Sequence, residues 1–270
     1  MNGNRAGRPG LLFMAKLSTM SNTAIVPLRE KIIQFIWQHI WLLISLDIMT
    51  LGIAFCVRSY LGSSVISSMP LAFSLAGAED MVPALTIGQY TNLMNVVLVL
   101  AQIAVLRRRF EPVQLFQIVA GFLFGILIDF NMWLTSPFEF NTLPYQILAQ
   151  AAGCTILAFG IAMEVRCGSV TMPGEGIQVA VCRVTGMPFA KVKIMIDCTL
   201  VALAVVSSYI FWGEWQWNIV GPGTLFAMFY VGWMVKQFSR RIGWFDRVLG
   251  YRPGFRRYVY GLARFLHIRH

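Results

Sequence analysis

The chain has 270 residues, 57% of them hydrophobic and 13% charged, with a formal net charge of +10. Its mean hydropathy is +0.65. A soluble domain is ordinarily about 45–50% apolar and about 25% charged, so this composition excludes an ordinary water-soluble fold and calls for lipid as solvent. The positive charge does not point to nucleic acid, because Lys and Arg sit at the ends of apolar runs and in the C-terminal stretch. An anionic inner leaflet attracts them there.

Residues 1–31 are polar, basic and broken by prolines, without the pattern of a signal peptide. They read as a cytoplasmic N-terminal segment. Six apolar stretches then approach the ~20 residues that cross a hydrocarbon core: 33–57, 85–106, 113–134, 147–165, 192–212 and 219–235. They predict an all-α membrane protein whose six transmembrane helices occupy residues 32–238. Arg107-Arg108-Arg109 and the 236–241 region are basic, whereas loops 136–145 and 213–218 carry Glu139 and Glu214 and no basic residue. The positive-inside rule places both termini in the cytoplasm and leaves Arg58 alone on the other side. In the tail, 239–270, aromatic and aliphatic residues alternate with Arg247, Arg256, Arg257, Arg264 and Arg269. That pattern suits amphipathic helices on anionic lipids, or equally a basic tail that only sets topology. The five cysteines show no CxxC spacing and read as small packing residues rather than disulfides or zinc ligands.

An internal repeat organises the spans. Leu51-Gly52-Ile53-Ala54-Phe55-Cys56-Val57-Arg58 matches Phe159-Gly160-Ile161-Ala162-Met163-Glu164-Val165-Arg166. Gly-Ser and then Met-Pro follow in each case, and Gly88…Asn95…Leu98 aligns with Ala190…Asp197…Leu200. Each half, about 40–134 and 147–236, holds three spans, so the second half enters the membrane from the opposite side. Two inverted three-helix repeats result, an architecture whose binding site in secondary transporters lies near the midplane at the repeat interface.

Between the first two spans of each half lies a short, moderately apolar segment, 62–80 and 168–186. Ser68 and Thr171 are expected as N-caps, with Pro70 and Pro173 in the first turn, where proline loses no hydrogen bond. Gly174 and Gly176 flank Glu175 and allow close backbone approach. Each segment is expected to dip into the membrane as a short re-entrant helix, or to lie flat at the interface. Ionisable groups inside spans cost about 2.5–3.5 kcal/mol each and therefore rank as functional candidates. Of Asp47, Asp129, Glu164 and Asp197, the last is the strongest: it sits deepest, its repeat mate is Asn95, and Lys193 lies one turn before it, at ion-pair spacing. Glu164 stands beside Arg166 at a span end, where it is expected to snorkel or to join the site. Gln89, Asn92 and Asn95 form a polar stripe at helical spacing, suited to a pathway or to interhelical contact. The three histidines are scattered, and no GxSxG, P-loop or HExxH is present, so neither an enzyme nor a cofactor or metal site is expected.

The run Gly168-Ser169-Val170-Thr171-Met172-Pro173-Gly174-Glu175-Gly176, then Gly186-Met187-Pro188-Phe189-Ala190-Lys191-Val192-Lys193 and Asp197, resembles the YczE/YyaS/YitT family of bacterial membrane proteins. Leu85-Thr86-Ile87-Gly88…Asn95 and Gly121…Gly125…Asp129 fit the same family, over roughly residues 42–238. The resemblance implies a multi-pass protein of the bacterial inner membrane without a settled substrate. Ser68-Met69-Pro70-Leu71-Ala72 departs from the family's Pro-Trp-Asp-like turn by lacking the acid. The reading that follows is a small-solute transporter or substrate-binding membrane component. Its unknown solute would lie near Asp197, Lys193, Glu175, Gly174, Pro173, Asn95, Gln89, Pro70 and Glu164. A membrane scaffold or regulatory protein acting through its tail, and a lipid-handling protein, are the alternatives.

Overall fold

A computed structural model describes residues 28–110, 112–167 and 172–249. Residues 38–251 form one compact unit; of the other unit, residues 1–37 with 252–270, only 28–37 are described, as the first turns of a helix. The described residues are helical, without a strand. The helices are α1 (Leu28–Arg58), α2 (Val65–Ala78), α3 (Ile87–Leu106), α4 (Phe116–Leu134), α5 (Leu143–Cys167), α6 (Pro173–Thr185), α7 (Phe189–Trp212), α8 (Pro222–Arg241) and α9 (Gly243–Leu249). Two short 3-10 turns, Arg107–Arg109 and Pro112–Leu115, join α3 to α4.

Among the described residues, five helices are long and apolar enough to cross a membrane, with candidate spans Phe35–Arg58, Ile87–Leu106, Phe116–Leu134, Leu143–Cys167 and Lys191–Trp212. The sixth expected span differs. Its helix, α8, has 20 residues, but Lys236, Arg240 and Arg241 occupy its last two turns and dilute its apolar stretch. At 14 and 13 residues, α2 and α6 reach about 20 Å at 1.5 Å per residue, short of a ~30 Å core.

The bundle is drawn together by small residues. A Cβ at Gly52 of α1 would stand 2.5 Å from the Leu157 nitrogen of α5, and one at Gly153 would stand 2.7 Å from the Gly52 oxygen. Side chains larger than hydrogen would force the two backbones apart, the usual reason for small residues where helices associate in lipid. Around this crossing, Leu46, Met49 and Ile53 pack with Phe124 and Ile128 of α4 and Leu157 and Met163 of α5. Beyond it, α3 packs on α4 and α6, α5 on α8, and α2 on α3 and α7, with smaller contacts of α6 on α7, α2 on α8 and α4 on α6. All five cysteines are free, and the Cys56 and Cys154 thiols meet at 3.8 Å between α1 and α5.

Several polar groups on the candidate spans are satisfied locally. Asp129 closes the start of α3, its carboxylate accepting from the Gly88 amide at 2.8 Å and the Thr86 hydroxyl at 2.6 Å. Asp47 accepts from the Asn131 amide at 2.9 Å, joining α1 to α4. The Arg166 guanidinium ties α5 to the far end of α8 and to α9, donating to Asp246 at 2.5 Å and to the carbonyls of Ile242 and Ser239. On α9, Phe245 is fully buried and meets the Trp41 ring edge-on, with ring centres 5.3 Å apart. The start of the tail therefore packs on the bundle rather than lying free on a leaflet. The remaining tail, 250–270, and the N-terminal segment before residue 28 lie outside the described residues.

Candidate functional site

The helix starts expected at Pro70 and Pro173 differ from each other. α6 begins at Pro173, with Met172 as its N-cap, so proline occupies the first turn where its missing N–H removes nothing; Thr171, expected as that cap, lies outside the described residues. α2 begins earlier than its Met-Pro pair suggests. Its N-cap is Ser64 and its first residue Val65, which leaves Pro70 inside the helix, buried. Four serines replace a capping box here: Ser63 and Ser64 hydroxyls both meet that of Ser67, at 2.5 and 2.6 Å, and Ser68 donates to the Val65 carbonyl at 2.8 Å. Because these short-range bonds satisfy the serines along the first turn, the helix extends N-terminally past the proline.

The first turns of α2 and α6 open onto one cavity of about 450 Å³, within the 300–1,000 Å³ usual for small-molecule sites. α2 contributes Val65 and Ile66, and α6 contributes Gly174, Glu175 and Gln178. From α3 come Thr91 and Asn95, and from α7 Lys193 and Asp197. Met49, Ile53, Phe124, Leu157, Met228 and Val231 make the rest largely apolar. Helix N-termini gather partial positive charge and unpaired amides, so two of them border a cavity whose ionisable groups come from α6 and α7.

Within the polar corner, Lys193 Nζ lies 3.0 Å from Asp197 Oδ2. Asp197 is nearly buried, while Lys193 remains 42% exposed. Gln178 Nε2 reaches toward Asp197 Oδ1 at 3.5 Å, but Gln178 Oε1 is buried without a partner. Glu164, 3% exposed on α5, also has an unpartnered oxygen, Oε2, and interacts electrostatically with Glu175. Burial pushes the Glu175 carboxyl above the usual carboxylate range; Lys193 opposes that rise and Asp197 adds to it. On the side facing away from the cavity, α6 is clamped by glutamines. Gln102 Nε2 donates to the Pro173 carbonyl at 3.1 Å, and the Gln102 and Gln117 side chains close so tightly on Gly176 that a Cβ there would clash with both.

Of the residues singled out from the sequence, Asp197, Lys193, Glu175, Gly174 and Asn95 line the cavity together. Pro173 anchors the α6 start beside it, and Glu164 sits buried behind the lining rather than snorkelling. Pro70 and Gln89 are elsewhere. Gln89 is exposed and completes a capping box at the start of α3, its backbone N–H donating to the Thr86 hydroxyl at 3.1 Å. Asn95 donates to the Gly121 carbonyl at 3.3 Å, so the polar stripe on α3 is spent largely on contact with α4. Gln178 and Thr91 were not singled out; both lie one turn from residues that were, the periodic signal that reveals them.

The chain belongs to DUF6198, a family of unknown function whose model matches residues 36–240. That span takes in every lining residue of the cavity and stops short of α9 and the tail. No curated protein and no solved structure matched the chain.

Proposed function

We propose that the chain is a membrane protein that binds a small solute, as a transporter or as a substrate-binding component, in the cavity between the first turns of α2 and α6. One observation carries this reading: two separate short helices, neither long enough to span, begin at the same cavity, and the intramembrane acid Asp197 lines it. Non-helical backbone at membrane depth is tolerated where it borders such a cavity. In this reading α8 is the sixth span, α2 and α6 are re-entrant, and both termini face the cytoplasm. Kinship with YczE/YyaS/YitT proteins belongs to the same proposal and rests on the motif residues around Pro173 and Asp197.

An inverted pair of halves is supported by matching helix contacts. If α1–α4 correspond to α5–α8, the packing of α3 on α6 answers that of α7 on α2. The pairs α2 with α3 and α6 with α7 match, as do α2 with α8 and α6 with α4. Thr91 and Asn95 then correspond to Lys193 and Asp197, and all four line the cavity. The match has one gap: α3 packs along α4, whereas among the described residues their counterparts α7 and α8 make no comparable contact.

Purified protein screened by thermal shift against metabolite pools tests the binding role, with Asp197→Asn alongside. A ligand-dependent rise in Tm that the variant loses is the expected result. A well-folded protein that responds to no pool sinks the reading and favours the scaffold. Cysteine labelling along residues 172–186 tests the re-entrant geometry, which fails if every position labels uniformly from the cytoplasmic side.

A further inference from the structure

Although two helix starts border it, the cavity's polar side chains differ in kind from those of a site for anions. Among the described residues, Lys193 is the one cation lining it, and that cation is already paired with Asp197. Two further carboxyls, Glu175 on the lining and Glu164 behind it, have no comparable ion pair among the described residues. The buried atoms left without partners at this corner are both acceptors, Gln178 Oε1 and Glu164 Oε2. Leaving a buried acceptor unpaired costs about 1–3 kcal/mol, and more if it is charged. A group that brings N–H donors and positive charge would relieve Gln178 Oε1, which lines the cavity, and would face the Glu175 carboxyl, whereas a carboxylate or phosphate would add an acceptor beside them.

The rest of the lining suits an apolar body. Met49, Ile53, Leu157 and Val231 offer aliphatic contact, and Phe124 presents an aromatic ring to the same space. Resting on the solute-binding reading above, we propose that the cavity takes a primary organic ammonium ion with an apolar body, and that Glu175 gives up a proton as the ammonium enters. Charge is conserved in this exchange. The neutral carboxylic acid of Glu175 becomes a carboxylate, its proton passes to solvent, and the ammonium replaces it as counter-charge.

The groups facing Glu175 make it the exchanging residue. From α7 it meets Lys193 and Asp197, which offset each other, and from α5 it meets the buried Glu164 carboxyl, with which it interacts electrostatically. The neighbouring faces of α3 and α4 bring Asn95, Gln102 and Gln117, which are polar but carry no charge. Solute and proton therefore compete for one carboxylate, the minimal coupling that an exchanger needs.

Titration calorimetry on the full-length protein in detergent tests this. The probes are a panel of primary ammonium ions, from butylammonium to 2-phenylethylammonium, each with its matched alcohol and carboxylate. Ammonium ions are expected to bind at least tenfold more tightly than their alcohols. Repeating the titration at pH 7 in two buffers of different ionisation enthalpy counts protons, and a net release is expected on ammonium binding. Glu175→Gln should abolish that release and lower ammonium affinity tenfold. Alcohols or carboxylates binding as well as ammonium ions overturn the inference but leave the solute site standing. Ammonium binding without proton release overturns the exchange. If no ammonium binds and no metabolite pool shifts the Tm, both this inference and the solute-binding reading fall.

Discussion

Lys193 holds Asp197 at 3.0 Å from one turn below on α7, the acid nearly buried and the base still partly open. Their partnership is unequal, because losing the base strands a charge in a water-poor place, while losing the acid leaves Lys193 free to reach water. Lys193→Met should therefore destabilise the protein by about 1–2 kcal/mol, between the values for exposed and buried pairs. Asp197→Asn should cost less than that, and the double variant should recover part of the Lys193→Met loss. Thermal unfolding of the four proteins in one detergent measures the cycle.

Titration of Glu175 should leave a mark on stability. Its carboxyl is raised in the folded protein, by burial first. A group raised on folding takes up protons as the chain folds, so its contribution is complete below the unfolded value, about 4.3. It is then lost as pH rises through the folded value. Glu175→Gln should remove this dependence, matching the parent in acid and exceeding it at neutral and alkaline pH. A parallel decline of both proteins with rising pH would contradict the assignment.

Asp129 offers a contrast, as an intramembrane acid whose role is to close a helix. Asp129→Asn keeps the shape but weakens charge-assisted bonds to the Gly88 amide and Thr86 hydroxyl. A loss of about 1–2 kcal/mol is expected, with ligand affinity unchanged within twofold. Loss of binding without loss of stability would place Asp129 in the site after all.

The close crossing of α1 and α5 should tolerate no methyl. Gly52→Ala and Gly153→Ala should each lower the Tm by several degrees, since each new Cβ would stand under 3 Å from backbone of the other helix. Gly232→Ala on α8 meets nothing within 4 Å and should be neutral or mildly stabilising. Comparable losses at all three positions would mean that helix crowding is not the cause.

Composition and periodicity made the helices and the main cavity residues legible. Asp197, Lys193 and Asn95 stood out because an acid, a base and an amide at helical spacing inside apolar runs have few structural excuses. Two features were not legible. Pro70 mimics the Pro173 pattern, but the start of α2 is set by serine hydroxyls at Ser63, Ser64 and Ser67, whose bonding depends on three-dimensional closeness. Glu164 stands near Arg166 in sequence, yet residues two apart in a helix point about 200° apart, to opposite faces. Arg166 turns outward to Asp246, and Glu164 turns in behind Glu175.

The contact of Gly52 with Gly153 and Leu157 has a mechanical consequence. Two backbones meshed this closely cannot slide along each other without lifting apart, but they can pivot where they cross. Any rearrangement of α1 against α5 is thereby restricted to rocking about a fulcrum, and Met49, Ile53 and Leu157, which line the cavity beside it, sit on the short arms of that lever.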